Sequence, residues 1–228
     1  MSEVSMRAAI AIAGLVLTAC GGGGETNAPD TASIQVPQVI EISGDSTAHG
    51  NGATVSEWTP PYLLRAAFPS IVVVDTSLSG STSSDRITGE VVRGQGTRFK
   101  PFPNGVVGTV YLTNWGVNDA AYGTPLADYK ANLRKIGSVP GAIFMTPVPS
   151  TNVDDSPYAQ AMREVAVEIG VDLIDVNAYV LGLANWRVLE ADGTHPGDAL
   201  YRMIYAQVVV PEVTRVLCRT RSALPACS

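Results

Sequence analysis

QVIEISGDSTAH, residues 38 to 49, changes character in the middle. Its first six residues mix β-branched Val39, Ile40 and Ile42 with polar side chains, as a short strand does. Gly44 and Asp45 then break the run, and Ser46 opens a small polar stretch suited to the first turn of a helix. A buried strand that ends on a turn and gives way to a helix is the first unit of an alternating α/β fold. Taken alone, Ser46 is an ordinary helix N-cap.

The same pattern repeats downstream. Short apolar runs at 70–76 (SIVVVDT), 106–113 (VVGTVYLT), 141–146 (GAIFMT) and 171–176 (VDLIDV) read as further strands. Amphipathic segments at 57–67, 125–137, 156–170 and 198–217 read as helices, the last broken or kinked at Pro211. Strands that read as nearly continuous apolar runs are buried on both faces, which predicts a three-layer α/β/α sandwich around a mainly parallel sheet of about five strands. Ser46, SLSGS (77–81), NWGVND (114–119) and TPVPS (146–150) each follow a predicted strand. All four loops should therefore emerge at the carboxyl edge of the sheet, where such folds assemble their sites.

With 228 residues, 46% of them hydrophobic, the chain can bury one sizeable core. Fifteen Lys and Arg against twenty-one Asp and Glu leave a net charge of −6, without the basic face that a phosphate backbone requires, so no nucleic-acid partner is expected. Residues 6–20, MRAAIAIAGLVLTAC, carry one Arg and then an apolar run from Ala8 to Ala19. That run is shorter than the roughly 20 residues of a spanning helix and matches the apolar region of an export signal. LTAC, residues 17–20, resembles the bacterial lipobox, which implies a signal over 1–19, lipid on Cys20 and a membrane-anchored envelope protein, with Met1 or Met6 as the start. Residues 20–37, rich in Gly, Pro, Thr, Ala and Ser, then form a flexible tether, and 38–228 form the folded domain. Assigning Cys20 to lipid leaves Cys218 and Cys227 as a disulfide pair, formed in an oxidising compartment and worth about 2–3 kcal/mol.

A serine acting as nucleophile needs a base, and the chain has only two histidines. His49 is too near Ser46 in sequence to be the obvious one and is left unassigned. His195 lies in EADGTHPGD with Asp192 three residues before it and Asp198 three after; either carboxylate could orient its ring, while Asp198 is equally explained by the dipole of the helix it opens. No H-E-x-x-H, Cys-x-x-Cys or complete dinucleotide loop is present, so no metal and no cofactor is expected. Trp58, Trp115 and Trp186 are read as core and carry no assigned role.

Four blocks, GDST (44–47), SLSGST (77–82), GVND (116–119) and DGTHP (192–196), resemble in order and spacing those of the SGNH, or GDSL-type, hydrolases. The resemblance runs from about residue 38 to 217. It implies Ser46 as nucleophile, His195 as base and then acid, Asp192 as the carboxylate that orients it, and an oxyanion hole from the N–H groups of Ser46 and Gly80 and the Asn118 amide. Thr47 stands where the family name has leucine; that variant is similar to the rhamnogalacturonan acetylesterase branch and points to acetyl esters of carbohydrate. Asp75 lies where relatives often carry Asn. The expected partner is a small ester or acylated glycan; lipase, lysophospholipase and thioesterase activity, or a surface lipoprotein that binds without turnover, are the alternatives.

Overall fold

The computed structural model describes residues 39–89 and 109–220. Five parallel strands form one sheet: β1 (Val39–Gly44), β2 (Val72–Asp75), β3 (Thr109–Asn114), β4 (Ala142–Met145) and β5 (Asp172–Ile174), in the order β2-β1-β3-β4-β5. β1 and β3 pair over the full length of β1, from Val39 with Thr109 to Gly44 with Asn114. This register sets the start of the Ser46 turn directly beside the end of β3.

Helices cover both faces. On one lie α1 (Ser46–His49), α2 (Pro60–Ala67), α7 (Val176–Leu181), α8 (Asp198–Ile204) and α9 (Val210–Thr220). They pack on Ile40, Ile42, Val73, Leu112, Ile143, Met145 and Ile174 through Leu64, Val180, Leu200 and Val213, all buried. On the other face, α5 (Leu126–Gly137) and α6 (Ser156–Ile169) bury Tyr129, Leu133, Met162 and Val165 against Phe144 and Trp115. The three-layer α/β sandwich read from the sequence is the fold observed. β4, central and buried at all four positions, shows why its run is continuously apolar, whereas edge strand β2 leaves Val72 and Val74 exposed and only Val73 buried.

Four short helices carry no period long enough to be read: α1, α3 (Ser83–Thr88), α4 (Val117–Ala121) and α7. The start of α3 does carry a local signal, a capping box in which Thr82 and Asp85 satisfy each other's backbone N–H. The last helical segment is not broken at Pro211. A π-helical stretch, Tyr205–Val209, joins α8 to α9 instead, with Val210 N–H donating to Tyr205 O. Proline at 211 removes the N–H that an α-helical turn would use there, and the wider turn shifts the bonding pattern before the gap is reached.

Among the described residues no helix is long and apolar enough to cross a membrane. Cys20, residues 1–37 and Cys227 lie outside the described residues. Cys218 is disulfide-bonded.

Candidate active site

Gly44 ends β1 where a side chain has no room: a Cβ there would lie 2.4 Å from Asn114 O and 2.6 Å from the Ala48 Cβ. The chain then turns into α1, whose N-cap is Asp45 rather than Ser46; the Asp45 carboxylate accepts Thr47 N–H at 2.8 Å. Ser46 is therefore free of the capping task, and its Oγ lies 2.8 Å from His195 Nε2. His195 Nδ1 lies 2.7 Å from Asp192 Oδ2.

The turn that carries both residues is closed at its base by Ala191 N–H donating to His195 O and Gly197 N–H donating to Leu189 O, each at 2.8 Å. Asp192 Oδ1 accepts the backbone N–H groups of Thr194 and His195 at 3.0 and 2.9 Å. With Oδ1 fixed in this way, Oδ2 is left to face the imidazole. Partial burial works against the ionised form of Asp192, but the hydrogen bonds from the His195 ring and the two N–H groups outweigh it and hold the carboxyl below the usual range. Asp198 turns away: its two oxygens accept Thr54 N–H at 2.8 Å and Thr54 Oγ1–H at 2.6 Å. Of the two carboxylates the sequence leaves open, Asp192 is the one at the ring.

The loop after β4 buttresses this turn. Gly193 O accepts from Thr151 N–H and Asn152 N–H, both at 3.0 Å, and from Ser150 Oγ–H at 2.9 Å. Asn152 Nδ2 donates to Asp192 O at 3.0 Å and to Thr194 Oγ1 at 3.1 Å. TPVPS (146–150) stands at the site edge by its position after a strand, but nothing in those letters shows that its Ser150, with Thr151 and Asn152 beside it, holds the His195 turn.

The other two blocks meet the Ser46 turn from the opposite side. Leu78 N–H donates to Gly44 O at 3.0 Å, and Asn118 Nδ2 donates to Ser81 O at 2.9 Å. A primary amide has two hydrogens, and this bond uses one of them. Ser46 N–H belongs to the first turn of α1 and so has no intrahelical acceptor. Gly80 adopts φ +78°, a left-handed conformation that a β-carbon disfavours. Asp119, the last letter of GVND, is fully buried and ties α4 to α3 by accepting Ser83 N–H at 3.0 Å and Ser83 Oγ–H at 2.7 Å. The sequence assigned Asp119 no such task.

Asp75 accepts Ser77 N–H at 2.8 Å, supporting the start of the Gly80 loop, and its other oxygen lies 3.3 Å from His49 Nδ1. The hydrogen bond that Asp75 accepts from the His49 ring raises the His49 pKa, and the pair joins the end of α1 to the end of β2. Trp115 and Trp186 are buried, and Trp58 lies beneath the Arg202 guanidinium at 4.6 Å. Among the described residues no group of three or more His, Cys, Asp or Glu is arranged to hold a metal ion.

Chemically, the arrangement offers a hydroxyl against a ring nitrogen, a carboxylate that fixes the other nitrogen as N–H, and backbone and amide donors on neighbouring loops. No curated protein matches the chain at a significant level. Solved structures with the same fold include a lipase/acylhydrolase from Enterococcus faecalis, 20% identical over 77% of this chain and 95% of that one with a TM-score of 0.57. A psychrotrophic esterase from Pseudoalteromonas sp. is 17% identical over 79% of this chain and 98% of that one, TM-score 0.57. A two-domain esterase active on acetylated mannans is 16% identical over 84% of this chain and 51% of that one, TM-score 0.54. The sequence profile of the GDSL-like Lipase/Acylhydrolase family matches residues 42–203, which include Ser46, Gly80, Asn118, Asp192 and His195. The chain belongs to that family and is a hydrolase of ester bonds.

Proposed function

We propose that the protein is a serine esterase in which Ser46 Oγ attacks the acyl carbonyl while His195 Nε2 removes its proton. Asp192 keeps the His195 tautomer that leaves Nε2 unprotonated and stabilises the imidazolium that forms. The oxyanion is received by Ser46 N–H, Gly80 N–H and the free hydrogen of the Asn118 amide. His195 then protonates the departing alcohol, and the same nitrogen deprotonates the water that releases the acid from Ser46. The observation that carries this reading is the continuous contact from Asp192 to His195 to Ser46, at 2.7 and 2.8 Å, at the carboxyl edge of the sheet.

The substrate we propose is a short-chain ester, acetyl above all, carried on carbohydrate. The GDST form of the serine block supports it, and so does the fold shared with the esterase active on acetylated mannans. A panel of p-nitrophenyl esters of rising chain length together with acetylated glycans, run with wild type and Ser46→Ala, tests both parts. The expected result is a sharp preference for acetyl in wild type and no turnover in a folded Ser46→Ala. Turnover retained by that variant removes the nucleophile, and rates rising toward long chains reassign the enzyme to lipids.

In the same reading, residues 1–19 are an export signal and lipid on Cys20 holds the enzyme at a bacterial envelope, supported by LTAC at 17–20. Metabolic labelling with a fatty acid is expected to mark the full-length protein and to be lost in Cys20→Ala; equal labelling of both refutes the anchor.

A further inference from the structure

The buried side of the GDST turn has more short oxygen contacts than the Thr47 hydroxyl alone can supply with protons. Thr47 Oγ1 lies 2.6 Å from Asn114 Oδ1 and 2.8 Å from Asp45 Oδ1, and all three residues are at most 3% exposed. The Asn114 amide cannot be turned to help. Its Nδ2 donates to Met145 O at 3.2 Å and to Thr146 O at 3.1 Å, so both hydrogens point at the β4 backbone and Oδ1 faces Thr47 as an acceptor only. A hydroxyl has one proton, and two oxygen–oxygen contacts this short need one each. If Thr47 satisfies Asn114, the second proton comes from Asp45.

The surroundings of Asp45 favour that state. Its carboxyl is 1% exposed, and burial pushes it up to about 6 against the hydrogen bonding to Thr47. The groups that face it are Asp119 from α4, Asp155 from the start of α6, Tyr129 from α5, Tyr201 from α8 and His195 from the turn before α8. Asp119 adds to the rise and His195 opposes it, while both tyrosines are themselves driven well above their ordinary range and stay neutral.

We propose that Asp45 is a positioning residue of the ester-hydrolysing site that works in its protonated form, donating to Thr47 Oγ1 while Thr47 donates to Asn114. Asp45 Oδ1 then gives its proton to the hydroxyl and still accepts Thr47 N–H at 2.8 Å. The chain of donors runs Asp45, Thr47, Asn114 and on to the carbonyls at the end of β4, so the first turn of α1 is fixed to the centre of the sheet. It does this without placing a negative charge one residue from Ser46, where it would oppose the oxyanion that Ser46 N–H receives. The proposal rests on Ser46 being the nucleophile, and it gives Thr47 a task that leucine could not perform.

The alkaline side of the pH profile and the infrared carbonyl stretch of a protonated carboxyl test it together, on the full chain. In wild type kcat/KM is expected to fall as pH rises through the Asp45 ionisation at about 6, and a protonated-carboxyl band at pH 5, below that ionisation, is expected to be lost in Asp45→Asn. In Asp45→Asn no charge can form, and the alkaline fall is expected to be gone whatever the height of the plateau. Thr47→Val gives the direction. If Asp45 donates to Thr47, removing the acceptor moves the alkaline fall down by about one pH unit. If Thr47 donates to an ionised Asp45, the same change moves it up. An upward or absent shift in Thr47→Val, or no band difference at pH 5, overturns the proposal, and the Thr47→Val profile decides it even if Asp45→Asn does not fold. Turnover retained in Ser46→Ala would remove the nucleophile while leaving the infrared band, so the two failures are distinguishable.

Discussion

Asp192→Asn changes two atoms and is expected to reverse the polarity of the site. In the wild-type turn, Oδ1 accepts two backbone N–H groups, at 3.0 and 2.9 Å. Only an oxygen can occupy that place, so the new amide nitrogen must fall where Oδ2 now lies, 2.7 Å from His195 Nδ1. An N–H pointed at Nδ1 stabilises the tautomer that carries its proton on Nε2, and that nitrogen can then only donate to Ser46. The base is lost while every backbone contact is kept. For a buried triad this inversion costs about 10⁴ in kcat. Here the Asp192 side chain is 55% exposed, so water can compete for Nδ1 and part of the active tautomer survives. The expected loss is therefore about 10²–10³-fold in kcat, or ~3–4 kcal/mol, with a melting temperature close to wild type. Hydrolysis of p-nitrophenyl acetate, followed alongside thermal unfolding by circular dichroism, measures both. Asp198→Asn serves as the reference, with an expected change under about threefold because its carboxylate holds Thr54 and not the ring. An Asp192→Asn enzyme within tenfold of wild type, or one more active than Asp198→Asn, refutes the reasoning.

Asn118→Ala removes one oxyanion donor and the tie to Ser81 O; kcat is expected to fall about a hundredfold or more with a smaller change in KM, and an unchanged kcat would move the hole elsewhere. Asp155 stands at the N-cap position of α6 without a side-chain cap hydrogen bond; it is 2% exposed, its Oδ2 has no hydrogen-bond partner among the described residues, and burial raises its pKa to about 7. A carboxyl whose folded value exceeds its unfolded one binds more protons when folded, so stability is lost as pH rises from about 4 through 7. Asp155→Asn should remove that loss, adding about 1–2 kcal/mol in urea unfolding at pH 8 and little at pH 4. A gain equal at both pH values would refute it.

The letters most informative about the fold were those of the central strands. β4 is buried at every position, so its apolar run is unbroken, while β2 and the four- to six-residue helices leave too few residues for any period to develop. The placement of the candidate residues was legible where one residue falls at a strand end: Ser46 and Asn118 lie in the first turns of the short helices after β1 and β3, and Gly80 lies in the loop after β2. Asp192 and His195 lie in a turn after α7, reached by the spacing of their block and not by a strand end. What stayed illegible is the pairing between turns. Thr54 and Asp198 are far apart in sequence, as are Asn152 and Thr194 or Thr47 and Asn114; sheet register brings the last pair together, and the paths of the loops bring the others. Asp198 shows the limit well. By spacing it competed equally with Asp192 for the imidazole, and only the path of the loop carrying Thr54 decided between them.

The direction of β1 has a practical meaning. The strand enters at Val39 and delivers Ser46 at its other end, six strand residues or about 20 Å away. A carrier protein, an affinity handle or a solid support joined ahead of Val39 would grip the domain by the rim opposite its working groups. Immobilised in that way, the enzyme turns its reactive rim outward, toward whatever bulky polymer is washed over it.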